Sequence, residues 1–209
     1  LLILSPSLDP RVNRLPAIGQ PGQILPKAAL DQLGTFEVFV QPKDGKPFQH
    51  EGIVHAANRE LAFVLAKEAF TRRFLCTSLF VVDTRHVYVS PTTEGNTNAM
   101  DQLAEVINQP GTAEAYDIFV LPKRGKQHVH VGQVQAVLPQ EAMWKAKQQN
   151  LHQGKVVYNV WAIRTADIRF TTEEEKDLWL TLPEKKFRDA SDYKGGDKLK
   201  EFLERSKTT

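Results

Sequence analysis

The chain of 209 residues has little cysteine, little net charge and no long apolar run. Its one cysteine, Cys76, excludes an internal disulfide framework and fits a reducing, cytoplasmic setting. A net charge of +2 is too small to argue by itself for a nucleic-acid partner. No apolar stretch nears the roughly 18 residues that cross a bilayer. The opening Leu1-Leu2-Ile3-Leu4 is short and has no basic segment before it, so neither a signal peptide nor a membrane partner is read.

Catalytic signatures are missing too. There is no Walker loop, no dinucleotide glycine fingerprint and no Gly-x-Ser-x-Gly elbow. A carboxylate-bridged di-iron site needs helical Glu-x-x-His pairs, and none of Glu60, Glu68, Glu105 and Glu141 has a histidine three residues on. His50 and His55 flank a zinc-protease-like run, but they stand five apart rather than four, on a segment that reads as strand. Cys76 precedes an apolar strand, which makes it a packed thiol rather than a nucleophile. The sequence therefore predicts no catalytic, cofactor-binding or metal-binding residue of its own.

What is present is one module written twice. Phe36-Glu37-Val38-Phe39-Val40 with its Lys43-Asp44-Gly45-Lys46 turn returns as Tyr116-Asp117-Ile118-Phe119-Val120 with Lys123-Arg124-Gly125-Lys126, an offset of 116 − 36 = 80. The offset holds through His50/His130, Gly52/Gly132, Ala62/Ala142 and Lys67/Lys147. It becomes 160 − 79 = 81 where Leu79-Phe80-Val81-Val82 aligns with Val160-Trp161-Ala162-Ile163. A duplicated unit is a scaffold more readily than a site, since a reactive group is rarely needed twice.

Five segments follow. Residues 1–34 form an extended arm, because Pro6, Pro10, Pro16, Pro21 and Pro26 each remove a backbone donor. Residues 35–90 are the first module, 91–115 a connector, 116–171 the second module and 172–209 a helical tail. Each module reads strand, turn, strand, helix, strand. In the first, residues 36–40 are aromatic and β-branched. Gly52 marks a bulge or a close backbone approach, and Asn58 caps the helix. Leu61, Ala62, Leu65, Ala66, Ala69 and Phe70 recur at helical spacing as one buried stripe, and residues 78–82 make a central strand. In the connector, Asn98 caps a short helix that uses Met100 and Leu103. Thr172 to Glu175 is a capping box, and Trp179 and Phe187 predict that the tail docks on the body of this chain or on another subunit. The fold class is α+β. Each of two tandem ββαβ modules places one helix on a small antiparallel sheet, and a module of about 55 residues has so thin a core that the pair should associate about a pseudo-twofold.

His128 and His130 alternate to one side of a strand, and surface or interface positions are expected for them. Lys43, Lys46, Arg72, Arg73, Lys123, Arg124 and Lys126 form either a solvated rim or a contact for an acidic partner or a phosphate-bearing ligand. The candidate subunit-interface residues are His50, Arg72, Arg73, His128, His130, Trp179 and Phe187. A rival reading is a small sheet-based nucleic-acid-binding module, in which Phe39, Phe80, Phe119 and Trp161 stack bases. The balanced charge argues against it.

These motifs resemble one family. The first copy carries Phe36-Glu37-Val38-Phe39-Val40, the Lys-x-Gly turn, His50-x-Gly52, Val54-His55-Ala56-Ala57-Asn58, Phe70-Thr71-Arg72-Arg73 and Ser78-Leu79-Phe80-Val81-Val82. The second carries Gln127-His128-Val129-His130-Val131-Gly132 and the Val160-Trp161 strand. Together they are similar to the PaaB family of ring-1,2-phenylacetyl-CoA epoxidase components. The better-known members have one module where this chain has two. The second copy has Asn150-Leu151-His152 near the place of Thr71-Arg72-Arg73, so a contact through Arg72 and Arg73 is expected of one module only. The resemblance implies a non-catalytic subunit with no cofactor of its own. Its implied partners are an oxygenase subunit that holds the di-iron centre and that subunit's ferritin-like companion. No nucleic-acid partner is implied, and self-association is left open.

Overall fold

A tight turn and a bulge, each used twice, set the geometry. The structure is a computed structural model. It describes residues 33–72, 76–106 and 110–179, together with 13–14, 196, 199–200 and 204–205. The first copy contributes β2 (Gly34–Gln41), β3 (Gln49–Ala56), α1 (Arg59–Phe70), β4 (Ser78–Asp83) and β5 (Val87–Val89). The second contributes β6 (Glu114–Val120), β7 (Val129–Ala136), α2 (Pro139–Gln148), β8 (Val160–Arg164) and β9 (Arg169–Phe170). From the arm, β1 (Asn13–Arg14) pairs in parallel with β5. The turns close alike, with Lys46 N donating to Lys43 O and Lys126 N to Lys123 O, each at 3.1 Å.

The bulge decides which way the histidines face. In the β2–β3 ladder Val38 pairs with Gly52 but Phe39 pairs with His50, so Glu51 is an extra residue. One extra residue reverses every later side chain in a strand of period two. Val54 and Ala56 face α1, whereas His50 is turned to the opposite face beside Phe39. The second copy repeats the shift between Ile118 and Phe119 and turns His130 the same way. Gly52 has φ of +151°, and a Cβ there would lie 2.9 Å from the Phe70 ring, so only glycine lets the helix end close over the bulge.

The helices form as their sequences direct. Asn58 Oδ1 accepts from Leu61 N at 2.9 Å and caps α1, while α2 starts on Pro139, whose missing N–H costs nothing in a first turn. The buried side of α1 is Ala62, Phe63 and Ala66, which differs from the expected stripe: Leu61, Leu65 and Ala69 are exposed. The two alanines let the helix approach the sheet closely. Phe63 then fills the flank, so the larger aliphatic residues are pushed to the outside.

The two copies interlock, which differs from the expected packing of two separate sheets. Instead of two small sheets packed together there is one nine-stranded sheet, in the order β1-β5-β8-β6-β7-β3-β2-β4-β9. At its centre Gln49 pairs with Val129, and His50 N donates to His128 O while His130 N donates to Phe48 O, both at 2.9 Å. These contacts relate equivalent residues at the offset of 80, which places the pseudo-dyad between β3 and β7. The short strand at the end of each copy crosses to the other: β5 pairs with β8 and β9 with β4. Val89 lies opposite Trp161, and Phe170, its equivalent, lies opposite Phe80. A hydroxyl clamps each crossing strand in the same way. Val160 N donates to Ser90 Oγ at 2.9 Å and Leu79 N to Thr171 Oγ1 at 3.0 Å. A lone module of this size would leave both a thin core and open strand edges, and the exchange removes the two together.

The sheet is curled. Three strand spacings separate β2 from β6, about 14 Å if the sheet were flat. Yet the rings of Phe39 and Phe119 are 4.6 Å apart between centroids. Their faces therefore enclose a shared core of Phe39, Phe80, Val82, Val87, Val89, Phe119, Trp161, Ile163 and Ile168. Each outer sheet face holds its own helix and its own cluster. The segment after each exchanged strand then lies on the other copy's helix. Met100, in the short turn Ala99–Gln102, is buried among Ala142, Met143 and Ala146. Trp179, at the end of the turn Glu174–Trp179, is buried with Phe63 and Ala66, and its Nε1 donates to Thr71 Oγ1 at 2.8 Å.

Candidate functional site: the shared interior and the outer faces of the two helices

Because the bulges turn His50 and His130 inward, each copy builds the same buried polar group. The Glu37 carboxylate, 1% exposed, meets His50 Nε2 at 2.7 Å and accepts from Thr84 Oγ1 at 2.9 Å. In the second copy Asp117 meets His130 Nε2 at 3.0 Å and accepts from Thr165 Oγ1 at 2.7 Å. Each threonine opens the short turn that carries the chain across to the other half, Thr84–His86 or Thr165–Asp167. The groups thus tie each hairpin to its crossover. The carboxylate stands between the other two members, so the histidine has no hydroxyl to deprotonate, and the order differs from that of a nucleophilic triad.

A side-chain contact links equivalent positions across the pseudo-dyad. His86 and Asp167 are equivalent positions (167 − 86 = 81), and His86 Nδ1 lies 2.9 Å from Asp167 Oδ1. Arg164 also reaches Asp167 at 2.9 Å and Glu114 at 3.0 Å. Burial pushes the Asp167 carboxyl up, but hydrogen bonds and charge from His86 and Arg164 outweigh it and hold the group well below the usual carboxylate range.

His128 takes the place of Phe48 in the second copy. It is stacked on Trp161 at 3.7 Å, and its Nε2 lies 3.0 Å from Asn159 Oδ1. Asn159 Nδ2 donates to Ser90 O at 2.7 Å, which leaves its Oδ1 as acceptor and puts the imidazole proton on Nε2. Burial pushes the His128 pKa down to about 3, despite the bond to Asn159. This ring is a neutral core residue. Trp161 Nε1 beside it has no hydrogen-bond partner.

The interior chemistry ends there. Burial raises the Cys76 thiol to about 12, so a thiolate nucleophile does not form. Among the described residues no three His, Cys, Asp or Glu side chains converge to hold a metal. Among them, too, no helix is long and apolar enough to cross a membrane.

The candidate interface residues fall in different places. His128, expected at a surface or interface, is inside the chain at 6% exposure, and Trp179, expected to dock on this chain's body or on another subunit, is 2% exposed. The ring of His128 fills the place that phenylalanine holds in the first copy, and Trp179 satisfies the expected docking on the chain's own body. His50 is nearly buried and His130 partly exposed, both facing carboxylates. Arg72 is exposed beyond the end of α1, whereas Arg73 and Phe187 lie outside the described residues. Arg124, placed on a basic rim, stacks on Tyr158 at 4.5 Å and holds the carbonyls of Thr93 and Gly95. The base-stacking aromatics of the rival reading, Phe39, Phe80, Phe119 and Trp161, are at most 1% exposed and offer no platform.

The copies differ most on the outside. On α1 Leu61, Val64 and Leu65 are 44%, 56% and 39% exposed. Their counterparts on α2 are Glu141, Trp144 and Lys145. There Glu141 Oε1 pairs with Lys145 Nζ at 2.6 Å and Glu141 Oε2 accepts from Val137 N at 2.7 Å, so an ion pair stands where Leu61 and Leu65 are, beside a partly buried Trp144.

The molecule is thus an internally duplicated, strand-exchanged α+β protein with a sealed aromatic interior. A family model described as Phenylacetic acid degradation B matches residues 32–105 and again 112–200, one match on each copy, and the chain belongs to this PaaB family. It is similar to the B component of the 1,2-phenylacetyl-CoA epoxidase of Escherichia coli (strain K12), with 38% identity over 55 residues, 26% of this chain and 58% of that protein. Since 55 residues make up 58% of it, that relative is about 95 residues long, less than half of this chain. No solved structure gives a significant match.

Proposed function

We propose that the chain is a non-catalytic assembly subunit of a multicomponent, di-iron phenylacetyl-CoA epoxidase in cytoplasmic phenylacetate degradation, and that one chain takes the place of two single-module subunits. The observation that carries this reading is the reciprocal exchange. Two family modules complete each other's sheet through β5 and β9, and the relative in Escherichia coli has the length for only one such module. The interior supports the assembly role, because its histidines and carboxylates tie each hairpin to its crossover. The partners in this reading are the di-iron oxygenase subunit and its ferritin-like companion, and the chain braces them without touching the substrate.

The test is co-expression with the oxygenase subunits of the same host, followed by mass measurement of the purified complex. One copy of this chain is expected where a single-module system holds two. A complex of full activity that forms without this chain contradicts the proposal.

A further inference from the structure

We infer that the outer face of α1 is where this chain seats its partner, and that the occupant is an apolar helix face edged by carboxylates on the oxygenase pair. The inference rests on the assembly reading and gives it a surface. Leu61, Val64 and Leu65 stand one turn apart on one side of α1 and are 39–56% exposed, which is unusual for three large aliphatic neighbours on a short helix.

The fold does not need this face. α2 holds the same position in the other half with Glu141, Trp144 and Lys145 there. The slot that the chain fills on its own helices is already taken on both, by Met100 on α2 and by Trp179 on α1. Among the described residues, Leu61, Val64 and Leu65 remain exposed on α1.

Charge selects the occupant. Arg59, with its side chain 58% exposed and its Nε 3.8 Å from Glu60 Oε1, stands at the first position of α1, and exposed Arg72 follows its end. Thirteen residues at a rise of 1.5 Å put them roughly 20 Å apart. The carboxylates on this helix are engaged, Glu60 with Arg169 at 2.8 Å and Glu68 with Lys67 at 2.9 Å. The net positive charge beside the apolar strip therefore lies at its C-terminal end, on Arg72, because Arg59 shares Glu60 with Arg169. The matching surface is a helix of about three turns whose apolar side is flanked by Asp or Glu. Since α2 lacks the strip, each chain offers one such seat although it contains two modules.

The test compares Val64→Glu/Leu65→Glu with Gln148→Glu/Gln149→Glu, which adds the same charge to exposed positions at the C-terminal end of α2. Binding of each purified full chain to the purified oxygenase pair is measured by calorimetry, with circular dichroism to confirm folding. The α1 variant is expected to bind at least tenfold more weakly, and the α2 variant to bind like the wild type. Arg72→Glu should give an intermediate loss that shrinks as salt is raised. If the wild type binds and the α1 variant binds equally well, the seat lies elsewhere and the inference falls while the assembly reading stands. If the wild type binds neither oxygenase subunit, the assembly reading falls and takes the inference with it. A sedimentation measurement in which the chain alone dimerises, and the α1 variant does not, would assign the face to a second copy and overturn the inference.

Discussion

The two halves share a backbone plan and divide the labour of their side chains. The first half has phenylalanine at 48 and 80, where the second has His128 and Trp161. The first leaves its helix greasy outside, and the second covers that face with a Glu141–Lys145 pair. The parts that stay the same hold the crossovers: the bulges, the carboxylate–histidine–threonine groups and the hydroxyl clamps at Ser90 and Thr171. A duplicated chain keeps what locks its halves together and is free to vary whatever a pair of identical subunits would have had to present twice.

The comparison can be broken most strongly at the buried polar groups. His50→Ala should destabilise by about 3–5 kcal/mol, because it strips a partner from a carboxylate sealed from water. His130→Ala should cost less, about 1–2 kcal/mol, since the His130 side chain is 26% exposed against 12% for His50 and water can replace it. Chemical denaturation of the two variants checks the ranking.

The bulge glycines sharpen it. Both have φ of +151°, but a Cβ on Gly52 meets the rigid Phe70 ring at 2.9 Å, whereas one on Gly132 meets the flexible Leu151 at 3.2 Å. Gly52→Ala should cost about 3 kcal/mol and Gly132→Ala about 2, by the same denaturation assay.

The third difference is one of pH. His128 has a folded pKa near 3 against an ordinary value of 6.5, so the unfolded chain takes up the proton first. Its share of stability is whole above about pH 6.5 and is lost as pH falls towards 3. His128→Phe, which copies the first half, should lose about 2–3 kcal/mol less than the wild type between pH 7 and pH 4. Paired melts at the two pH values read this directly.

The smallest effect concerns the tail. The hydrogen bond from Arg169, outweighing burial, lowers the Glu175 carboxyl to about 2 from 4.5. The contribution is present above about 4.5 and lost as pH falls towards 2, so the Trp179 segment should loosen from α1 in that window. The ion pair is part-exposed, so its worth is at most about 1 kcal/mol. Glu175→Gln should loosen the segment already at neutral pH, seen as faster amide exchange at residues 174–179.

Much of this arrangement was legible in the residues. The offset repeat is compatible with the repeated order of strands and helices, Asn58 marked the start of α1, and the tail's tryptophan pointed to docking. The inward turn of His50 and His130 was hidden, because a bulge of one residue leaves no mark on composition and reverses the alternation that strand reading relies on. The exchange of β5 and β9 was hidden as well, since strands of two and three residues carry no periodic signal and pair by proximity. Leu61 and Leu65 misled for a different reason. Helical spacing shows that a stripe exists, but close approach through Ala62 and Ala66 decided which side of it is buried. Their exposure is what now marks α1 as a seat.

Equilibrium unfolding of the intact chain in urea, followed separately by amide exchange at β4 and at β8, tests the interlocked body most directly. The account predicts one midpoint and one free energy for both strands, because each is completed by a strand from the other half. Separate transitions for the two halves would contradict it.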